Sequence, residues 1–435
     1  MTTSIKSEKL RDSGLGWVGQ VPIHWAIVPT RAVLKLHREL VGDSWVDRQL
    51  LSLTKRGIVV RDIDSGHGKY PSSFDTYQVV RSGNLVFCLF DVDETPRTVG
   101  LSDLDGMVTG AYDCFVTSSN LNKRFAMWYY IAIDDGKRFR PLYSGLRKVI
   151  AKPRFLSAGF ALPPLDEQRQ IAEYLDRETG KIDELITKQE QLVATLTERR
   201  EAFISQMLVG GDLEASERIS TGHQWVQAVP IGWTLRTVRS ISRVISKGTT
   251  PSTIGHDLAN EGIRFLRGED IQNGTIQNLT PRYISPETNL VLIRSQLRVG
   301  DVLFVIAGTL GKTAVVQLDN LPANLNQAIS FVRLNDPRDA DFLRLWFSSR
   351  QVREMTASAA VVSAQPNLSM ESLGRIVVPV PPALERDRIV SLVSVEIRKI
   401  DASISMAAKL SQLLRERRAA LVSAAVTGKI DVRGL

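Results

Sequence analysis

Cysteine is nearly absent from this chain: only Cys88 and Cys114 occur in 435 residues, far apart and in no metal-ligand spacing. That excludes a disulfide scaffold and a cysteine zinc site, and it fits a reducing compartment. No run approaches 18 consecutive apolar residues, so no membrane span is expected, and the opening MTTSIKSEKLRDSG has no apolar core for a secretory signal. The expected compartment is the cytoplasm. Histidine is scarce too: His24, His37, His67, His223 and His256 form no ligand pair. Gly-x-Ser-x-Gly does not occur, and neither Pro-Pro pair follows an Asn or Asp, as an amino-methyltransferase tetrapeptide would require. Gly308 to Thr313 looks like a phosphate loop, but that motif needs glycine at position 306, where this chain has isoleucine. It reads better as a strand-end loop facing a nucleic-acid backbone. No cofactor or metal site is expected on this chain.

The net charge of +8 and pI of about 9.5 favour an anionic partner, with nucleic acid first. With 43% hydrophobic residues, the length suffices for two or three domains with real cores.

The strongest signal is that the chain is written twice. GWVGQVPIHW at 16–25 returns as QWVQAVPIGW at 224–233, an offset of 208. PPLDEQRQI from Pro163 returns as PPALERDRI from Pro381, and the two segments align without a gap through Gly210 and Gly428 with 17 identities in 48 positions. The order is therefore opener, variable block, long helix, then the same again. The expected boundaries are a tail at 1–15, a domain at 16–164, a helix at 165–212, a linker and second domain at 213–382, and a helix and tail at 383–435. The blocks share little else beyond GNLVF at Gly83 and GDVLF at Gly300. LVFCLFDV (85–92) and DVLFVIAG (301–308) read as buried strands, and the residues from Phe342 and around Arg124 as amphipathic helices.

Heptad spacing runs through both helices. One line holds Leu175, Ile182, Gln189, Leu196 and Phe203, with Val393, Ile400, Ala407, Leu414 and Leu421 as repeat mates. A second holds Ile171, Glu178, Leu185, Leu192, Arg199 and Gln206, with Ile389, Glu396, Ser403, Leu410, Arg417 and Ala424. Residues 165–213 carry 6 basic and 11 acidic groups, whereas 383–435 carry 10 basic and 6 acidic. Opposite signs favour pairing of the helices with each other, in an order the heptads leave open. A helix from Leu165 to Leu208 would be about 66 Å long, enough to hold two readers about two DNA turns apart. Gly180 interrupts it and reads as a tolerated surface residue.

Groups able to contact DNA concentrate in the blocks. The first offers Lys55, Arg56, Lys69, Arg97, Lys123 and Arg124. The second offers Lys247, Thr249, Thr250, Arg264, Arg267, Gln272, Asn273, Lys312, Asn326 and Gln327, with Asn324, Gln365 and Asn367 nearby. Arg and Lys suit guanine, and Asn and Gln suit adenine. Most such side chains on any surface are simply solvated.

The openers ending in Val-Pro-Ile-x-Trp, the PPLDEQRQI and PPALERDRI entries, the ending AAVTGKIDV (424–432) and GDVLFVIAGTLGKTAVV from Gly300 together resemble the DNA-specificity subunits of type I restriction–modification enzymes. Gln20 and Ala228 stand where that family usually has Gly or Glu, and Glu385-Arg386-Asp387 stands for its usual Glu-Gln. The resemblance implies an α+β chain in which two globular target-recognition domains alternate with two long helices that pair as a coiled coil, in an internal pseudo-twofold repeat. It implies a non-catalytic subunit that binds double-stranded DNA, each domain reading one half of an asymmetric bipartite site. Its partners would be two modification subunits, which bind S-adenosylmethionine and methylate adenine, and restriction subunits that use ATP and magnesium. The competing readings are a fused DNA-modifying enzyme and a coiled-coil adaptor that binds no DNA.

Overall fold

The computed structural model describes residues 9–61, 73–143, 145, 148–211, 217–277, 280–360 and 367–433. They fall into two compact units, 1–190 with 408–435 and 191–407. Each is α+β and each takes a segment from both long helices.

The first unit is built on a four-stranded antiparallel sheet. Its strands are β1 (Leu34–His37), β2 (Leu85–Phe87), β3 (Val99–Leu101) and β4 (Asp113–Thr117), in the order β1-β4-β2-β3. The second unit has β5 (Ser242–Lys247), β6 (Val302–Val305), β7 (Thr313–Val315) and β8 (Ile329–Leu334), in the order β5-β8-β6-β7. The two sheets share one topology, and the GNLVF and GDVLF segments occupy the same place in it as β2 and β6. Both strands are wholly buried but shorter than the apolar runs around them.

Helix α1 (Lys123–Asp135) covers the first sheet and opens on Asn122, whose side chain caps the Arg124 and Phe125 amides. Phe87, Phe115, Tyr130 and Phe155 meet in its core, with Phe87 4.9 to 5.4 Å from the other three ring centroids. Cys88 and Cys114 are buried free thiols, Cys114 in a separate cluster with Leu51, Val80, Val86 and Val108, and burial pushes Cys114 up to about 12, leaving little reactive thiolate. In the second unit the amphipathic stretch from Phe342 is two helices: α3 (Ala340–Phe347) stops at Ser348, whose hydroxyl donates to the Leu345 carbonyl, and α4 (Arg350–Ala360) follows. Inside the stretch expected to be a tail, Leu10–Asp12 pair with the opener strand Gln20–Pro22, as Arg218–His223 pair with Val226–Pro230.

The first long helix, α2, spans Leu165–Met207 without a break at Gly180, and the second, α5, spans Ala383–Val426. Within the first unit Arg418 donates to Asp183 at 2.8 and 3.1 Å, and Arg415 to Glu190 at 2.6 Å. One number rises as the other falls, so these helical segments run antiparallel. Within the second unit Arg200 pairs with Asp401 at 2.9 Å, the repeat-related image of Asp183 with Arg418.

The packing line of these helices is half as expected. Leu175, Ile182, Val393, Ile400, Ala407 and Leu414 are buried, and Leu196, Phe203 and Leu421 half-buried. Leu185, Leu192 and Leu410, expected to pair, are instead 44 to 46% exposed. The companion line runs four residues after the first rather than three: Thr179, Ile186, Val193, Arg200 and Met207, then Ile397, Ile404, Ser411, Arg418 and Ala425, all buried or half-buried. Several of these are polar, so apolar periodicity pointed to the wrong flank. Thr179 satisfies its hydroxyl on the Leu175 carbonyl at 2.5 Å, while Arg200 and Arg418 are held by the aspartates named above.

The seam pair Asp183–Arg418 sets an expected result. Asp183→Arg or Arg418→Asp alone should lower stability through like charges, and the double exchange should recover most of the loss. A double-mutant cycle should give a coupling of about 0.5–1 kcal/mol for so exposed a pair.

Candidate nucleic-acid interface

The two openers do the same work in each unit. Trp25 Nε1 donates to Glu167 at 3.1 Å and Trp233 Nε1 to Glu385 at 3.0 Å, joining each opener to the first turn of the helix that follows its block. Gly428, just past α5, packs on Pro22 and Trp25, and Gly210, just past α2, packs on Pro230. Each block is thus clamped between the end of one long helix and the start of the other. In the first unit α1 is tied down further: Arg124 and Trp128 Nε1 both donate to Asp176 of α2, at 2.5 and 2.9 Å, and Arg418 lies 5.4 Å over the Trp128 ring. In the second unit Arg353 of α4 donates to Glu201 of α2 at 2.6 Å.

Against this frame the nominated DNA contacts divide. Lys55 and Arg56 are exposed at the turn joining Leu51–Thr54 to Gly57–Val60, and Lys123 is exposed on the first turn of α1. Arg97 is not a loop cation in search of a ligand: it is 13% exposed and bound to Asp135 at 2.7 Å. Arg124 is taken by Asp176. Lys69 lies outside the described residues, as does Gln365.

In the second unit Lys247 is exposed, and Thr250 donates to Gln327, so the segments after β5 and before β8 meet there. Thr249 is half-buried beside them, and Asn326 turns its Oδ1 to the Ala328 amide at 3.2 Å. Arg264 is occupied by the Gln277 carbonyl at 2.9 Å, and Arg267 by Glu269 and by Thr280 at 3.1 Å. Gln272 donates to the Glu269 carbonyl at 3.3 Å. Asn324 is fully buried, bonded to Asn289 and the Leu292 carbonyl, and is structural, whereas Asn367 is exposed and only its backbone bridges to Ala307. Asn273 sits at φ 51 in a turn with Gly274, and Lys312 follows Gly311 in the turn joining β6 to β7.

Asn273 and Lys312 line one cleft of about 800 Å³ together with Arg200, Arg344 and Arg398. Those three arginines were missed in the sequence because each lies on a helix whose periodicity announces packing. The only visible signal was a positive charge on an otherwise apolar stripe, as in FLRLWF.

The loops thus spread polar and cationic groups over two similar frames. Among the described residues no helix is long and apolar enough to cross a membrane. Residues 230–407 match the family model for the type I restriction modification DNA specificity domain. Among curated proteins, the EcoBI type I restriction enzyme specificity subunit of Escherichia coli is 27% identical over 239 residues, which is 53% of this chain and 49% of that relative. The MjaVIII specificity subunit of Methanocaldococcus jannaschii is 21% identical over 297 residues, 66% of this chain and 65% of that relative. The alignments thus span about half to two thirds of these relatives' length. Among solved structures, one from a study of complex assembly in a type I R-M system superposes with a TM-score of 0.64 at 17% identity, covering 94% of this chain and 99% of the other. The HsdS subunit from Thermoanaerobacter tengcongensis gives 0.50 at 18%, covering 94% and 98%. At such identities these two structures speak for the fold alone, while the family model and the named relatives show what residues 230–407 and about half of the chain are similar to: type I restriction–modification specificity subunits.

Proposed function

We propose that this chain is the DNA-reading, non-catalytic subunit of a type I restriction–modification complex. The carrying observation is that one frame of sheet, opener and helix ends is built twice in a single chain while the loops on it differ. A repeated frame with unlike loops suits two readers of unlike sequences, giving an asymmetric target in two halves. Phosphate contacts from Lys and Arg would position each unit, and base-edge contacts would specify the sequence. The long helices would set the number of unread base pairs and dock two modification subunits. S-adenosylmethionine would belong to those subunits, and ATP and magnesium to the restriction subunits. The cytoplasm is the compartment that this reading implies.

The test is to supply a modification subunit and map methylated adenines in exposed DNA. A two-part asymmetric sequence supports the reading; methylation by this chain alone, or none with any partner, rejects it. Lengthening both long helices by whole turns should change the gap and leave both half-sequences intact. Lys55→Gln with Arg56→Gln should weaken specific and nonspecific binding alike, about threefold to tenfold, if these exposed residues meet phosphate.

A further inference from the structure

The cleft of about 800 Å³ in the second unit is walled by the turns at Asn273–Gly274 and Gly311–Lys312 and by faces of α2, α3 and α5. Arg344 of α3 lies beneath the first of these turns. Gly274 is at φ 77, and a β-carbon there would come within 2.6 Å of an Arg344 Nη, so the turn closes over the guanidinium because it has no side chain. Arg344 is 19% exposed and forms a loose ion pair with Asp341 at 3.7 Å on the same helix. Burial works against its charge, Asp341 supports it and Arg200 repels it; a guanidinium keeps its proton in a protein all the same. A half-buried guanidinium with one loosely held carboxylate can still bond a second anion.

Lys312 and Arg398 line the same cleft, and neither side chain has a hydrogen-bonded or ion-paired partner among the described residues. Arg200 differs, being neutralised by Asp401 at 2.9 Å. The walls add Asp319 and the side-chain amides of Gln317 and Asn320, which can donate to phosphate or sugar oxygens, while the Thr275 hydroxyl is committed to the Gln272 carbonyl at 3.0 Å. Four cations (Arg200, Lys312, Arg344, Arg398) against three carboxylates (Asp319, Asp341, Asp401), with side-chain amides beside them, suit a singly charged phosphodiester.

We propose that this cleft seats a DNA backbone phosphate, with Arg344, Lys312 and Arg398 as the cations that neutralise it. The fork of an arginine suits phosphate oxygens, and such a contact sets register without reading bases. The inference rests on the DNA-reading function above. It locates one anchoring point partly on the helical frame rather than on the loops alone.

The test uses the full chain and two duplexes, one carrying the mapped target and one scrambled, titrated at salt from about 50 to about 200 mM. Lys312→Gln, Arg398→Gln and Arg344→Gln are compared with the unaltered protein, with thermal melts as the folding control. Each variant should weaken binding to both duplexes by the same factor, about threefold to tenfold, and flatten the salt dependence by about one unit of slope. Folded variants with unchanged affinity and slope would overturn the proposal while leaving DNA reading intact. Weakening confined to the target duplex would also overturn it, since that is base reading. If the unaltered chain binds neither duplex in a salt-sensitive way, the parent function fails and takes this site with it. Should Arg344→Gln unfold, Lys312→Gln and Arg398→Gln decide the matter.

Discussion

Exchanging residues 16–162 for the corresponding block of a type I specificity subunit should rewrite one half of the methylated sequence and leave the other half as it was. The first block has its own sheet and its own aromatic core around Phe87, Phe115 and Phe155, so its loops can change without disturbing β5 to β8. The incoming block must supply a tryptophan in place of Trp25, because Glu167 on the retained helix needs that donor. It must also offer donors to Asp176 of α2, a role that Arg124 and Trp128 fill here. Each mismatched base pair typically costs about 1–3 kcal/mol, so a half-site of several base pairs should switch almost completely. Sequencing of methylated adenines reads the result directly. A change in both halves would show that the blocks do not read independently, and the modular function proposed for them would fall.

The repeat was the most legible feature of the sequence, because it is carried by residues with obligatory partners. The buried Trp25 and Trp233 need acceptors, Glu167 and Glu385 supply them, and so opener and helix entry persist in both copies although they are 142 and 152 residues apart. The helix seam was only partly legible. Apolar periodicity finds Leu175, Ile182, Val393 and Ile400, but it cannot find Thr179, Arg200, Ser411 or Arg418, which enter the seam by bonding or by small size. Leu185, Leu192 and Leu410 drew the second line to the wrong flank for the same reason. The common topology of the two sheets was nearly invisible, since β-sheet order depends on pairing between distant strands and leaves little trace beyond GNLVF and GDVLF. For the interface, residue type alone does not separate Lys312, whose side chain has no partner among the described residues, from Arg97 or Arg267, which acids already hold. That distinction exists only once the chain is folded.

Gly428→Ala and Gly210→Ala should each be strongly destabilising, whereas Gly180→Ala should stabilise. Gly428 ends α5 in the left-handed conformation at φ 67, with its amide on the Ala425 carbonyl at 3.1 Å and the Lys429 amide on Ala424 at 2.9 Å. That bond pair is the Schellman arrangement, which favours glycine at this position. Alanine there costs about 1–2 kcal/mol from backbone strain alone. Its β-carbon would also collide with Pro22 and press on Trp25, adding about 1–3 kcal/mol for overpacking. Gly210, at φ 75, faces the same two costs against Pro230. Gly180 has open space where a β-carbon would go and lies inside a continuous helix, so alanine should gain up to about 1 kcal/mol. Amide exchange under mild denaturant can assign each loss to its unit: Gly428→Ala should loosen residues 9–190, and Gly210→Ala residues 217–407. A Gly428→Ala protein as stable as the parent would mean that the opener does not seat on the helix end, and the clamp that holds each block in its frame would have to be abandoned.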